Sequence, residues 1–385
     1  MGAFAVKADK FVLPGCLKGP GYLTVADGVF GTYAEEAPEG VEVVDLSGKW
    51  VAPGFVDTHI HGFFNHATTD CDPEGINISS RELARRGTTS WLPTTFTESV
   101  ESIGRACRAI AEADESRGDD FVGAHIQGIY LEGPFFTSKH VGAQNPAYLI
   151  DPSYEAFSEW QRLSGGRIKK SALAPEHDGS MEYISALAAE GVVTCIGHSD
   201  ATYAESLAAV NAGASCFVHT YNGMRGLHHR EPGIVGCAMT TPETFAEVIA
   251  DGHHVMPAAV NALVRAKGWD HVALITDCLG CGGMPEGEYM SGGLPVVMRD
   301  GACYLANGSS LAGSIATLDS VVKNVFDWGI VTAEQAIRMA TEVPARSAHI
   351  DGACGFIAPG RAADFVALDP DLTLSATYMA GKLVE

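Results

Sequence analysis

The middle of the chain repeats one pattern: a short, almost uninterrupted apolar run, then a stretch with apolar residues at helical spacing. The runs fall at 51–58, 88–96, 125–132, 168–174, 192–197, 214–219, 246–251 and 271–277. Runs of this length, bounded by turn residues, read as buried strands. Between them lie RELARRG, SIGRACRAIAEADES, MEYISALAAEG, YAESLAAVNAG and PAAVNALVRAKG. These carry apolar residues three and four apart, and several close on Gly, a common helix stop. Eight alternations predict an α/β fold, a (β/α)8 TIM barrel, better than an open doubly wound sheet. No GxGxxG follows the first strand and no GxxxxGK[ST] occurs.

The two ends of the chain have a different texture. YLTVADGVF and VEVVDLSGKW are alternating or β-branched and are split by Gly, Asp and Pro, and the last thirty or so residues repeat that character. The economical reading is a small β-sandwich-like domain built from 1–53 and 355–385, around a barrel over 54–354. The glycine-rich stretch 278–313, after the eighth strand, reads as a loop over the barrel mouth.

Polar residues of one kind sit at the ends of the apolar runs. His59 and His61 follow VAPGFVD, Glu132 follows IQGIYL, His198 follows VVTCIG, His219 follows ASCFV and Asp277 follows HVALIT. The carboxyl ends of parallel barrel strands converge on one face. Imidazole and carboxylate are the ligands that hold zinc or iron with positions open to water. Residues i and i+2 of a strand point the same way, so His59 and His61 can grip one ion. A lone strand-end histidine is usually a satisfied structural residue. Two on consecutive strands, with a carboxylate and an HxH upstream, point instead to a metal-activated hydrolase. Asp277 is placed to take a proton from an activated water and pass it on.

Charge narrows the classes of partner. Lys and Arg number 25 against 47 Asp and Glu, a net charge of -22. That argues against nucleic acid and against anionic membrane surfaces. An anionic substrate needs a local basic pocket, and the clusters around Arg230 and His254 are the ones available. The 10 cysteines have no regular spacing and read as reduced, buried residues; the CxxC of Cys278 and Cys281, in a glycine-rich stretch with no second pair, is read as coincidental. With no leader-like apolar stretch and no membrane-length run, the expected location is the cytoplasm.

HxHG, LEGPF, APEH, GHSDA, HTYNGM, HREPG, IADGHHV, ITD and GSSLAGS occur in that order. Together they closely resemble the N-acetylglucosamine-6-phosphate deacetylase family of the amidohydrolase superfamily, over essentially the whole chain. The resemblance implies hydrolysis of the acetamido group of the sugar phosphate by a metal-bound hydroxide. Glu132, His198 and His219 would hold a principal ion, and His59 and His61 a second one bridged by Glu132. Asp277 would be general base, then general acid. Asn222, Gly223, Arg230 and His254 would bind the sugar phosphate, with Gly142, Ala143, Leu311, Ala312 and Gly313 lining the sugar pocket. The resemblance also implies a homodimer in which a second subunit completes the pocket. It favours two divalent ions per chain, zinc ahead of iron, cobalt or manganese. Some members have Gln and Asn in place of the HxH histidines and use one metal. Some have a histidine where this chain has Gln144, so here an amide or another group must fill that substrate-binding role.

Three alternatives stand beside this reading: the galacto epimer as substrate, a cyclic-amide hydrolase, and a non-catalytic sugar-phosphate binder. Cyclic-amide hydrolases usually bridge two metals with a carboxylated lysine. Here Lys169 and Lys170 open the fourth strand, and the bridging role falls to Glu132. Retention of every metal-type residue and of Asp277 argues against a non-catalytic homologue.

Overall fold

The computed structural model describes residues 2–308 and 310–385. Strands Phe4–Leu13, Cys16–Lys18, Gly21–Ala26, Val29–Ala34 and Glu42–Pro53 join Phe365–Leu368, Leu374–Met379 and Lys382–Leu383 in one eight-stranded sheet. The two chain ends meet where Glu42–Pro53 pairs antiparallel with Phe365–Leu368. Burial alternates along Gly21–Ala26, the mark of a sheet with one covered face. The sheet curls until Val29 bridges Ala362 and the Phe30 N–H donates to the Arg361 carbonyl at 2.9 Å. That curl gives a single sheet the two-layer character of a sandwich, around Phe4, Phe11, Leu23, Phe30 and Phe365.

Eight parallel strands form the second body: Phe55–Ile60, Thr88–Thr95, Ile129–Phe135, Ile168–Leu173, Val193–Ile196, Cys216–Phe217, Phe245–Ile249 and Val272–Ile275. Each pairs in parallel with the next. The eighth meets the first through the Asp277 N–H, which donates to the His59 carbonyl at 2.8 Å, so the barrel is nearly closed. Phe55–Ile60, Thr88–Thr95 and Ile129–Phe135 are buried at every position, because helices cover the outside and side chains fill the inside. The helices begin and end where local chemistry directs. Asp72 caps Pro73–Arg85, Ser99 caps Val100–Glu115, Thr202 and Glu205 form a capping box on Tyr203–Ala212, and Gly213 ends that helix.

Two expectations change. The third strand starts at Ile129, after a separate short strand His125–Ile126, and runs past Glu132 to Phe135. Its pairing with the fourth strand slips between Leu131↔Ser171 and Phe135↔Leu173. Glu132 therefore sits in a bulge, a device that redirects a side chain, rather than at a strand end. The stretch 278–313 is not a plain loop. It contains an antiparallel sheet, Gly287–Ser291, Leu294–Arg299 and Ala302–Leu305. Gly292 and Gly293 turn its first hairpin with φ of 53° and 73°, as the favoured two-residue turn requires. Phe96, Leu279, Val296, Met298, Cys303 and Ala312 pack beneath it as a small core of their own.

Candidate active site

The sequence places the metal-type residues on five different strands, and the barrel brings them to one point. Glu132 Oε1 lies 3.0 Å from His219 Nε2, 3.3 Å from His198 Nε2 and 3.3 Å from His59 Nε2. Its other oxygen lies 3.2 Å from His61 Nε2. Asp277 Oδ1 is 3.1 Å from His61 Nε2 and 3.6 Å from His59 Nε2. All six side chains are buried. His198, His219 and Asp277 hold positive φ values of 46°, 21° and 51°. Left-handed backbone at non-glycine residues is strained, and such strain clusters at functional sites.

Neighbouring backbone has to come close to these rings. Gly223 has φ 59°, and a Cβ there would lie 2.9 Å from His198 Nδ1. That nitrogen is engaged by the His140 carbonyl at 2.8 Å. Gln144 is locked: its Oε1 accepts from the Thr97 N–H at 2.7 Å and its Nε2 donates to Glu132 Oε2. The amide therefore braces the central carboxylate. His254 Nδ1 is held by Asp251 at 2.7 Å, which leaves Nε2 as the nitrogen open to a ligand.

Above the cluster is a cavity of about 270 Å³. Its lining includes His61, Glu132, His198, His219 and Asp277 on the floor, with Gly142, Ala143, Gln144, Asn222, Gly223, His254, Leu311, Ala312 and Gly313 around the wall. Phe96, Leu279 and Ser310 also line it, and the sequence reading did not name them. Asn222 Nδ2 is buried without a hydrogen-bond partner. Arg230 is not brought into the cavity of its own chain. It lies on an exposed loop against His229 Nε2, at 2.9 Å. A larger depression of about 730 Å³, with Asp70, Glu288 and Tyr289 in its wall, contains none of these histidines.

Residues 50–384 match the model of the amidohydrolase family. The chain belongs to that family. It is 42% identical over 343 residues to an N-acetylglucosamine-6-phosphate deacetylase of Vibrio furnissii, covering 89% of this chain and 85% of that one. It is 38% identical to an N-acetylgalactosamine-6-phosphate deacetylase of Escherichia coli O157:H7, covering 94% of each. Among solved structures it superposes on an N-acetyl-D-glucosamine-6-phosphate deacetylase variant of Mycobacterium smegmatis, in complex with N-acetyl-D-glucosamine-6-phosphate. The TM-score is 0.91 at 29% identity, over 100% of both chains.

The amidohydrolase family is metal-dependent, and this donor set fits an ion. Four ligands at about 2.1 Å in a tetrahedron stand roughly 3.4 Å apart, close to the 3.0–3.3 Å separations around Glu132 Oε1. His59 Nε2, buried and facing two carboxylates, has no hydrogen-bond partner. Without an ion the charges lean on protons instead. Burial alone would lower His59, yet Glu132 and Glu247 outweigh it and hold the ring well above the ordinary imidazole range. Burial would raise Glu132, but the His59 charge and the bonds with His198 and His219 hold it well below the carboxylate range. The site draws positive charge, whether as protons or as a cation.

Sequence reasoning passed over one buried acid of this amidohydrolase site. Glu247, on the seventh strand, holds His59 Nδ1 at 2.9 Å and also accepts from Lys170 Nζ. Its signal was a carboxylate inside an otherwise apolar run. Lys170 is thus committed to an ion pair with Glu247, while Glu132 is the carboxylate that stands between the two histidine groups. Cys278 and Cys281 are both buried, and neither joins a metal-type group among the described residues.

Proposed function

We propose that the chain hydrolyses the acetamido group of N-acetylglucosamine 6-phosphate to acetate and glucosamine 6-phosphate. The observation that carries this is the convergence of Asp277 with Glu132 and four histidines, three of which line the floor of one cavity, in a chain similar throughout to named deacetylases. A divalent ion in this cluster supplies Lewis acidity and a water acidic enough to attack near neutral pH. Glu132, His198 and His219 would hold the principal ion, and His59 and His61 a second one that shares Glu132; zinc is the first candidate for both.

Asp277 takes the proton of the attacking water. The water oxygen adds to the acetyl carbon, and Asp277 returns the proton to the sugar nitrogen as the C–N bond breaks. The Asn222 amide, buried without a partner, donates to the sugar phosphate together with the Gly223 backbone. His254, held through Nδ1 by Asp251, offers its Nε2 to the sugar phosphate. Gly142, Ala143, Leu311, Ala312 and Gly313 shape the sugar pocket. Arg230, exposed on its own chain, reaches the phosphate in the cavity of a second copy, so the working unit is a homodimer. The ten cysteines, all free, suit the cytoplasm as its location.

Acetate release tests this on three sugars: the gluco phosphate, its galacto epimer and the unphosphorylated sugar, with metals counted on the same sample. Fast release from the gluco phosphate, with about two ions per chain and loss of activity on chelation, is the expected result. Preference for the galacto epimer would move the chain to the chemistry named for its E. coli relative. No release from any of the three in metal-replete protein would overturn the proposal.

A further inference from the structure

Lys170 and Glu247 form an ion pair in the centre of the barrel, both at 0% exposure. Taking two charges out of water costs several kcal/mol per ion, and a hydrophobic pair of similar volume is often at least as stable. A buried pair therefore asks for a reason beyond stability. Its contacts supply one. Glu247 uses one carboxylate oxygen for Lys170 and the other for His59 Nδ1, at 2.9 Å. That second oxygen also lies 3.3 Å from the His219 N–H. Lys170 lies over the Tyr130 ring, 4.6 Å from its centroid.

The four histidines of the cluster are not treated alike. His198 Nδ1 meets a backbone carbonyl. His61 Nδ1 and His219 Nδ1 have no partner. His59 alone has a carboxylate behind it. A carboxylate behind a metal-ligating imidazole fixes the tautomer, turns the ring and raises its basicity, and its loss typically costs 10–100-fold in metal affinity. With its proton on Nδ1 and donated to Glu247, His59 directs the Nε2 lone pair at Glu132 and Asp277. The opposite tautomer would place a proton where an ion must bind.

We infer that the Lys170–Glu247 pair is a positioning device for His59 that secures the second ion, and so makes this site binuclear. The inference rests on the two-ion reading above. Lys170 keeps the carboxylate compensated, so Glu247 can stand behind His59 without leaving a lone buried charge. Cys195 and Cys216 also approach Glu247 as a group of metal-ligand type, but the Lys170 ammonium already holds the cationic place there.

The test counts ions rather than turnover. Wild type, Lys170→Met/Glu247→Gln and Glu247→Asp are stripped of metal and titrated with cobalt(II). Bound ions per chain come from elemental analysis, the two dissociation constants from the visible spectrum, and folding from thermal melts. The double variant removes both charges together. Glu247→Asp keeps a charge opposite Lys170 but withdraws it from His59, so it remains informative if the double variant does not fold. We expect two ions in wild type, and in the folded variants an unchanged first constant with a second weakened ten-fold or more. Two ions at wild-type constants in a folded variant would overturn the inference and leave the two-ion reading intact. Equal weakening of both sites would also overturn it, since a merely structural pair would act that way. A single ion in wild type would overturn both the reading and the inference.

Discussion

Asp277 shows how much one residue can carry. Its carboxylate is buried, and that alone would raise its pKa; the His61 hydrogen bond and the His59 charge bring it below the ordinary value instead. It is thus ionised and ready to accept a proton. Asp277→Asn keeps shape and bulk but removes the basic lone pair, so turnover should fall by about 10²-fold or more while metal content stays at the wild-type level. Steady-state rates and elemental analysis on one preparation check this, and near-normal turnover would remove Asp277 from the role. At this scale much was legible. His59, His61, Glu132, His198, His219 and Asp277 stood out because polar residues after apolar runs are costly unless used. Glu247 was not legible, since its value lies in a contact with Lys170 across 77 positions of chain. The left-handed backbone at His198 and Asp277 was equally hidden, because nothing in either side chain announces it.

Elements were read well where their period was strong and poorly where a bulge or hairpin intervened. All eight barrel strands overlap their expected ranges, since continuous apolar runs have little choice but burial. The small sheet after the eighth strand was taken for a loop because glycines dominate the stretch; its alternation around Gly292 and Gly293 was the overlooked signal. The helix Pro257–Lys267 offers a test at this level. Its last residue, Lys267, is buried, with Nζ donating to the Thr241 carbonyl and to Thr244 Oγ1, each at 2.8 Å. Burial pulls its pKa from the ordinary 10.5 down to about 8. Below pH 8 the lysine is charged in both folded and unfolded chains. Above it the folded chain sheds the proton first, the unfolded chain binds more protons, and stability rises with pH. Relative to Lys267→Met, wild type should therefore gain stability between pH 8 and 10, approaching ~1.4 kcal/mol per pH unit. Denaturant melts of both proteins across that range decide it, and parallel curves would refute the assignment.

For the whole molecule the sharpest question is where Arg230 acts. On its own chain it is exposed and outside the cavity. If it serves a second copy, Arg230→Ala and Asp277→Asn should complement each other. In the hybrid dimer, the site that keeps Asp277 receives an intact Arg230 from the other chain. Mixing the two variants with subunit exchange should restore up to about half of wild-type activity per hybrid dimer, one of its two sites being whole. No recovery, with exchange shown by differently tagged chains, would place Arg230 in its own site or in none. That question marks the divide between sequence and structure in this protein. Period, burial and end-of-strand chemistry are local, and they sufficed for an α/β barrel and for the face on which its metal-type residues gather. The bulge that aims Glu132, the clamp of Gln144 on it, the Lys170–Glu247 support behind His59 and the exile of Arg230 from its own cavity were settled only in three dimensions. Each depends on distances between segments far apart in the chain, and those distances arise when the eighth strand comes round to meet the first.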